Sequence, residues 1–220
     1  MSIWTVVVAA GAGERFGGDK QAADLAGRAV VARSVAAALS VSDGVVVVVS
    51  AERREAVADL VSGVDGVEAI VDGGATRSAS VRCGLAVVPA AAEVVLVHDG
   101  ARPLATPELF RRVVEAVLAG ADAVVPGVSM ADSLRTTDGR VMGRDGVIAV
   151  QTPQGFSAEC LRAAHAGGDE ASDDATLVEA SGGTVVVVEG DPANLKITRP
   201  IDLELAVLEL NRATGGSSHA

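Results

Sequence analysis

The chemistry open to this sequence is set by where its cations fall. Trp4–Ala10, a Val-rich run, leads straight into Gly11-Ala12-Gly13-Glu14-Arg15-Phe16-Gly17-Gly18-Asp19-Lys20. Glycines placed after a strand let backbone N–H groups approach phosphate oxygens, because no Cβ stands in the way. Arg15 and Lys20 share this loop and can both grip a triphosphate, while the glycines admit a base and an α-phosphate. Later turns repeat the arrangement. Val71 leads to Asp72-Gly73-Gly74-Ala75-Thr76-Arg77-Ser78-Ala79-Ser80, and Val97 to His98-Asp99-Gly100-Ala101-Arg102-Pro103. Val188 leads through Asp191 to Asn194-Leu195-Lys196-Ile197-Thr198. Each turn offers small residues and a cation. The chain has only 18 Lys and Arg against 29 Asp and Glu. This placement therefore predicts a local positive pocket on a negative body, suited to a polyphosphate and a phosphorylated acceptor.

The first loop admits competing readings. A dinucleotide fingerprint needs a third Gly where Phe16 stands, and an acidic residue at a distance where none is found. A P-loop needs Ser or Thr after Gly-Lys, and here Asp19 precedes Lys20 and Gln21 follows it. What remains is a triphosphate-gripping loop or a solvated loop with two surface cations. Asp99 has the chemistry to contact a metal or an acceptor hydroxyl, or to tie down the turn behind it. His98 reads as structural. Asp173-Asp174 reads either as a metal pair or as the start of a helix running through Leu177. Cys83 and Cys160 have neither metal-ligand spacing nor a disulfide framework, and read as small buried residues.

Such turns need rigid elements behind them. Val45–Val49 is an unbroken valine run, and Val67–Val71, Val94–Val97, Ala123–Val125 and Val185–Val188 look alike. Continuous apolar runs without polar alternation predict strands buried on both faces of a mostly parallel sheet, with helices on both sides. In such a sheet ligands lie beyond the carboxyl ends of the strands. Thr106-Pro107-Glu108 opens a helix, with Leu109, Val113 and Val117 at helical spacing and Gly120 closing it. Thr198-Arg199-Pro200 opens another, with Ile201, Leu205 and Leu208 on one face. Residues 129–150 break the pattern. They are polar, carry Arg135, Arg140 and Arg144, and hold Asp138-Gly139 and Asp145-Gly146. Asp-Gly between short strand-like pieces predicts a hairpin, here an arm leaving the sheet. A single domain over 1–214 is expected, with a disordered tail over 215–220.

Composition narrows the class. Hydrophobic residues make up 49%, aromatic residues only 2%, and there is no Tyr, so the core is Val, Ala and Leu. A net charge of −11 argues against a nucleic-acid partner. The apolar runs fall short of the ~18 residues of a membrane span. The N-terminus lacks the basic region of a signal peptide, so a cytoplasmic protein is expected.

Ala9-Ala10-Gly11-x-Gly13-x-Arg15 with Lys20-Gln21, then Asp72-Gly73-Gly74, His98-Asp99-x-Ala101-Arg102-Pro103, Gln151-Thr152-Pro153-Gln154 and Lys196-Ile197-Thr198 follow in order across nearly the whole chain. In these motifs the sequence resembles the 2-C-methyl-D-erythritol 4-phosphate cytidylyltransferases of non-mevalonate isoprenoid synthesis. The resemblance implies a Rossmann-like α/β nucleotidyltransferase with a protruding β-arm. It implies transfer of CMP from CTP to a small polyol phosphate, with Mg²⁺ held mainly by the CTP phosphates. It also implies a homodimer that exchanges the arm. By the same resemblance, Arg15 and Lys20 stabilise the transition state, and Arg144 and Lys196 position the acceptor phosphate. Asp99, Arg102, Ser133 and Thr152 line the acceptor site. Ala9, Ala10, Gly11, Gly13, Gly74 and Ser80 form the nucleotide pocket, and no protein ligand to the metal is assigned. This chain departs from the family at Asp19, where Pro is usual, at Gly100 for Ala, at Ser133 for Thr, and at Ala75 for an acidic residue. Asp19 is expected to oppose polyphosphate binding slightly. A ribitol-5-phosphate cytidylyltransferase would share the CTP loops and differ at the acceptor pocket. A non-catalytic CTP-sensing module is the alternative of another class, and the acceptor-side cations argue against it.

Overall fold

The computed structural model describes residues 1–11 and 13–215. In chain order the elements are β1 (Ile3–Val8), β2 (Asp24–Leu25), β3 (Arg28–Ala29), α1 (Val30–Leu39), β4 (Gly44–Val49), α2 (Arg54–Val61), β5 (Val67–Asp72), α3 (Arg77–Leu85) and β6 (Val94–Asp99). The second half adds α4 (Pro107–Leu118), β7 (Ala123–Ser129), β8 (Leu134–Arg135), β9 (Val141–Met142), β10 (Ile148–Val150), β11 (Gln154–Ser157), α5 (Ala158–Ala166), α6 (Asp174–Ala180), β12 (Val185–Glu189) and α7 (Pro200–Gly215).

An 8-stranded sheet runs β10-β7-β11-β6-β1-β4-β5, with β12 on the other flank of β7. The β1–β4, β1–β6, β4–β5 and β7–β12 pairs are parallel. Only β10 and β11 run against the rest, and β11 lies between β6 and β7. The valine runs make this sheet because a β-branched side chain suits a pleated surface covered on both faces. Val45, Val47 and Val49 face one apolar layer with Val35, Val57, Phe110 and Val113. Val46 and Val48 face the other, with Val81, Leu85, Phe156, Leu161 and Val178. Helices α1, α2 and α4 thus cover one side, and α3, α5 and α6 the other.

Central β4 and β6 are buried along their whole length, as the runs predict. Edge strand β12 departs from that expectation: Val186 and Val187 are exposed, because β12 pairs only with β7. The sequence reading also passed over β11. Gln154-Gly155-Phe156-Ser157 holds no β-branched residue, and what makes it a strand is the gap between β6 and β7. Helix α4 starts as read, with Thr106 Oγ1 accepting from the Leu109 N–H at 3.2 Å. Helix α7 differs. Its Asp202 carboxylate accepts from the N–H groups of Thr198 and Arg199, each at 2.8 Å. Ile201, Leu205 and Leu208 do share a face, but it is the exposed one, and Leu203, Ala206, Val207 and Leu210 pack inward.

The hairpin expected within 129–150 is present. Leu134 pairs with Met142 and Arg135 with Val141, around a turn in which Gly139 has φ +88°. Residue 215 closes α7, and 216–220 of the expected tail lie outside the described residues. Cys83 and Cys160 are free and half-buried rather than fully buried. Among the described residues no helix is long and apolar enough to cross a membrane.

Candidate active site

Register gathers the basic turns at one end of the sheet. Val8 of β1 lies beside Val48 of β4 and Asp99 of β6, so the three strands end at one level. Chain order reverses at β1, which makes this a crevice at a topological switch point. The strand ends are tied to one another: Ala9 N–H donates to Val48 O, Gly73 N–H to Val49 O and Gly100 N–H to Val8 O. The turns then pack closer than side chains would allow. A Cβ on Gly73 would meet Ala10 Cβ and Ser80 Oγ at 2.8 Å, and one on Gly74 would collide with Ala79 Cβ.

A cavity of about 400 Å³ opens in this crevice. Of the residues expected in the nucleotide pocket, Ala10, Gly11, Gly74 and Ser80 line it, joined by Lys20, Asp99 and Lys196. Ala9 sits beneath it, 1% exposed. Gly13 shapes the loop: it has φ +73°, and a Cβ there would lie 2.9 Å from Gly18 O. Arg15 stands exposed on the Glu14–Phe16 turn, outside the cavity lining. Lys196 also lines a second cavity of about 570 Å³, together with Arg102, Gln151 and Asn194. Ser133 and Arg144 lie on the arm, exposed, and line neither cavity. Arg144 Nη1 donates to Ala131 O at 2.8 Å.

Charge is concentrated at the junction of the cavities. Lys196 Nζ lies 2.6 Å from Asp99 Oδ2, and Arg102 Nε 3.8 Å from the same oxygen. Burial alone would push the Asp99 carboxyl up, but the charges of Lys196, Arg77 and Arg102 outweigh it and hold it at about 2. Lys20 is held below the ordinary lysine value. The causes are its own burial and then the charges of Lys196, Arg15 and Arg53, against the pull of Asp99. These groups therefore share one electrostatic field.

Thr152 and His98 brace Asp99 from behind. The Thr152 hydroxyl accepts from the Asp99 N–H at 3.0 Å and lies 3.2 Å from His98 Nδ1. His98 Nε2 lies 3.2 Å from Arg102 O, which can only accept. So Nε2 carries the proton, Nδ1 accepts from Thr152, and burial holds the ring neutral, its pKa pushed down to about 4. Thr152 is itself 5% exposed and lines neither cavity.

Arg53 escaped the sequence reading. Arg53, just past β4, donates from Nη1 to Gly11 O at 2.9 Å, and its Nε lies 3.6 Å from Asp19 Oδ2. The pattern of a cation beyond each strand end, applied to Val49, would have found it. Asp19 also accepts from the Gln21 N–H at 3.0 Å, so its carboxylate is taken up within the protein. Arg77 lines the cavity and lies 2.7 Å from Asp174, which is wholly buried and also holds His165 Nε2 at 3.0 Å. Asp173 caps α6, accepting from the Thr176 N–H at 2.9 Å. The Asp173-Asp174 pair thus splits into a helix cap and the buried partner of Arg77. No local signal links Asp174 to Arg77, which is distant in sequence. Among the described residues no three His, Cys, Asp or Glu side chains gather to hold a metal. The donor set suits an ion brought in on phosphate oxygens, with Asp99 the carboxylate lining the cavity.

The chain is 46% identical to the 2-C-methyl-D-erythritol 4-phosphate cytidylyltransferase of Rhodococcus opacus, over 91% of this chain and 92% of that one. It is 41% identical to a bifunctional IspD/IspF enzyme of Clavibacter michiganensis, covering 97% of this chain and 55% of that longer one. Among solved structures, it matches the 4-diphosphocytidyl-2C-methyl-D-erythritol synthase of Anaerococcus prevotii with a TM-score of 0.84 at 29% identity, over 96% and 99% of the two chains. It matches the 2-C-methyl-D-erythritol 4-phosphate cytidylyltransferase of Thermus thermophilus with a TM-score of 0.76 at 36% identity, over 95% and 98%. The family's own sequence profile matches residues 3–212, and the chain belongs to the 2-C-methyl-D-erythritol 4-phosphate cytidylyltransferase family.

Proposed function

We infer that the chain transfers the cytidylyl group of CTP to 2-C-methyl-D-erythritol 4-phosphate and releases pyrophosphate. One observation carries the reading: the family match spans residues 3–212, and within it Lys20, Asp99 and Lys196 line one cavity at the strand ends. An oxygen of the acceptor phosphate attacks the α-phosphorus. The new P–O bond forms as the bond to the bridging oxygen breaks and pyrophosphate leaves. The attacking oxygen is already an anion near neutral pH, so no strong general base is required, and neutral, buried His98 does not serve as one. The protein must instead hold two anions together and neutralise charge on the leaving group.

Arg15 and Lys20 take the triphosphate side, over the glycines of the β1 loop. Lys196 takes the acceptor phosphate, exchanging its Asp99 contact for the ligand, while Arg102 backs Asp99. The CTP phosphates, with Asp99 the carboxylate lining the cavity, would hold Mg²⁺, which would supply further neutralisation of phosphate charge. Ser133 and Arg144 act on the acceptor from the arm of a second copy in a homodimer. Their exposure on an arm apart from both cavities of their own protomer supports this. The test is pyrophosphate release with CTP and Mg²⁺, comparing 2-C-methyl-D-erythritol 4-phosphate with ribitol 5-phosphate. Turnover with the first is expected. Turnover with ribitol 5-phosphate alone would keep the CTP loops and overturn the acceptor assignment.

A further inference from the structure

Arg53 connects two strand-end loops that the topology brings side by side. It follows β4, and its guanidinium spans both ends of the β1 loop. Nη1 donates to Gly11 O at 2.9 Å, at the loop's start, and Nε lies 3.6 Å from Asp19 Oδ2, just before Lys20. Asp19 is fixed in turn by accepting from the Gln21 N–H at 3.0 Å. The Arg53 side chain is 22% exposed and Asp19 33%, so the pair is partly shielded from solvent. Between the two anchor points lie Gly13, Gly17 and Gly18, residues with wide backbone freedom. A segment so rich in Gly loses much entropy when it closes on a ligand. A cross-link between its ends before the ligand arrives removes part of that cost.

We propose that Arg53 is a positioning residue that latches the β1 loop in its triphosphate-binding shape, with Asp19 as its counter-anchor. In this arrangement Asp19 does not oppose polyphosphate binding. It holds the arginine that pre-forms the loop, and it places Lys20 at the cavity. The inference rests on the reading that this loop holds the triphosphate.

The test measures KM for CTP and for the acceptor separately, together with the thermal midpoint, in Arg53→Ala, Arg53→Lys and the Asp19→Pro/Arg53→Ala double variant. Proline stiffens the chain without needing a partner. Arg53→Ala is expected to raise the CTP KM about tenfold, the scale of one charge-assisted hydrogen bond. The acceptor KM and the thermal midpoint should stay near wild type, Arg53→Lys should recover part of the loss, and the proline double variant most of it. Arg54→Ala, which removes a neighbouring surface pair to Asp72, should change neither KM. An unchanged CTP KM in Arg53→Ala overturns the latch. So does a rise that Asp19→Pro fails to reverse, which would put Arg53 on the phosphates directly. Should Arg53→Ala unfold at assay temperature, Arg53→Gln replaces it with the same outcomes. Failure of the underlying reading looks different, since Arg15→Ala and Lys20→Ala would then also leave CTP kinetics unchanged.

Discussion

At the scale of single residues, three cations at the strand ends are paired before any ligand arrives. Lys196 rests on Asp99, Arg77 on Asp174 and Arg53 on Asp19. Behind them His98 is the group whose titration reads out the fold. Its pKa in the folded protein, about 4, lies below its ordinary 6.5. The unfolded chain therefore takes up the proton first as pH falls. The stability that His98 contributes is complete above about pH 6.5 and is lost progressively toward pH 4, on the order of 3 kcal/mol. Asp99, held at about 2 against an ordinary 3.8, titrates below that window. Urea midpoints measured across the window should fall in the wild type. In His98→Asn the curve should start lower and lose that part of its slope. An equal slope in both proteins would remove His98 from the account.

At the scale of elements, the loops are only as well placed as the helices behind them. Helix α3 carries Arg77 and Ser80 into the cavity and sits on β1 and β4 through Gly84, where a Cβ would lie 2.5 Å from Val6 Cγ1 and 2.9 Å from Val48 Cγ2. Both valines are fully buried and have no room to yield. Gly84→Ala gains ~1 kcal/mol of helix propensity but overpacks a filled layer, and a net loss of roughly 1–3 kcal/mol is expected by chemical denaturation. A more stable variant would show that the layer can relax. Much of this architecture was legible. Val45–Val49 can hardly be anything but a buried strand, and Thr106-Pro107 marks a helix start. Lys20, Asp99 and Lys196 were found because each lies at a strand end or in the turn beyond one. What could not be read depends on tertiary neighbours. Phe156 lies in a strand only because β6 and β7 leave a gap, Ile201 faces outward because Leu203 and Ala206 meet Leu25 and Val30, and Asp174 finds Arg77 only in the folded chain.

At the scale of the whole molecule, the acidic body holds one cationic cleft and one arm. The hairpin of β8 and β9 presents Val141 at 73% exposure and Met142 at 45%, an apolar patch on β9 that a lone copy leaves in water. Replacing residues 131–145 with two glycines is expected to give a monomer by sedimentation and to abolish pyrophosphate release. An active monomer would overturn the shared site.

Strand β11 has a consequence for how the enzyme is made. Chains emerge from the ribosome N-terminus first, at about 5–20 residues per second. By the time β6 is out, β1 can already have paired with it and with β4, and β4 with β5, and the CTP-side loops exist. The far side of β6, Val94–Asp99, has no partner until Gln154–Ser157 follows seconds later. During that interval the nascent protein displays an open, valine-rich edge, which is a template for pairing with another chain. Truncation after β6 but before β11, between residues 99 and 154, should therefore give an adhesive fragment, and the cell has reason to shield this chain until β11 arrives.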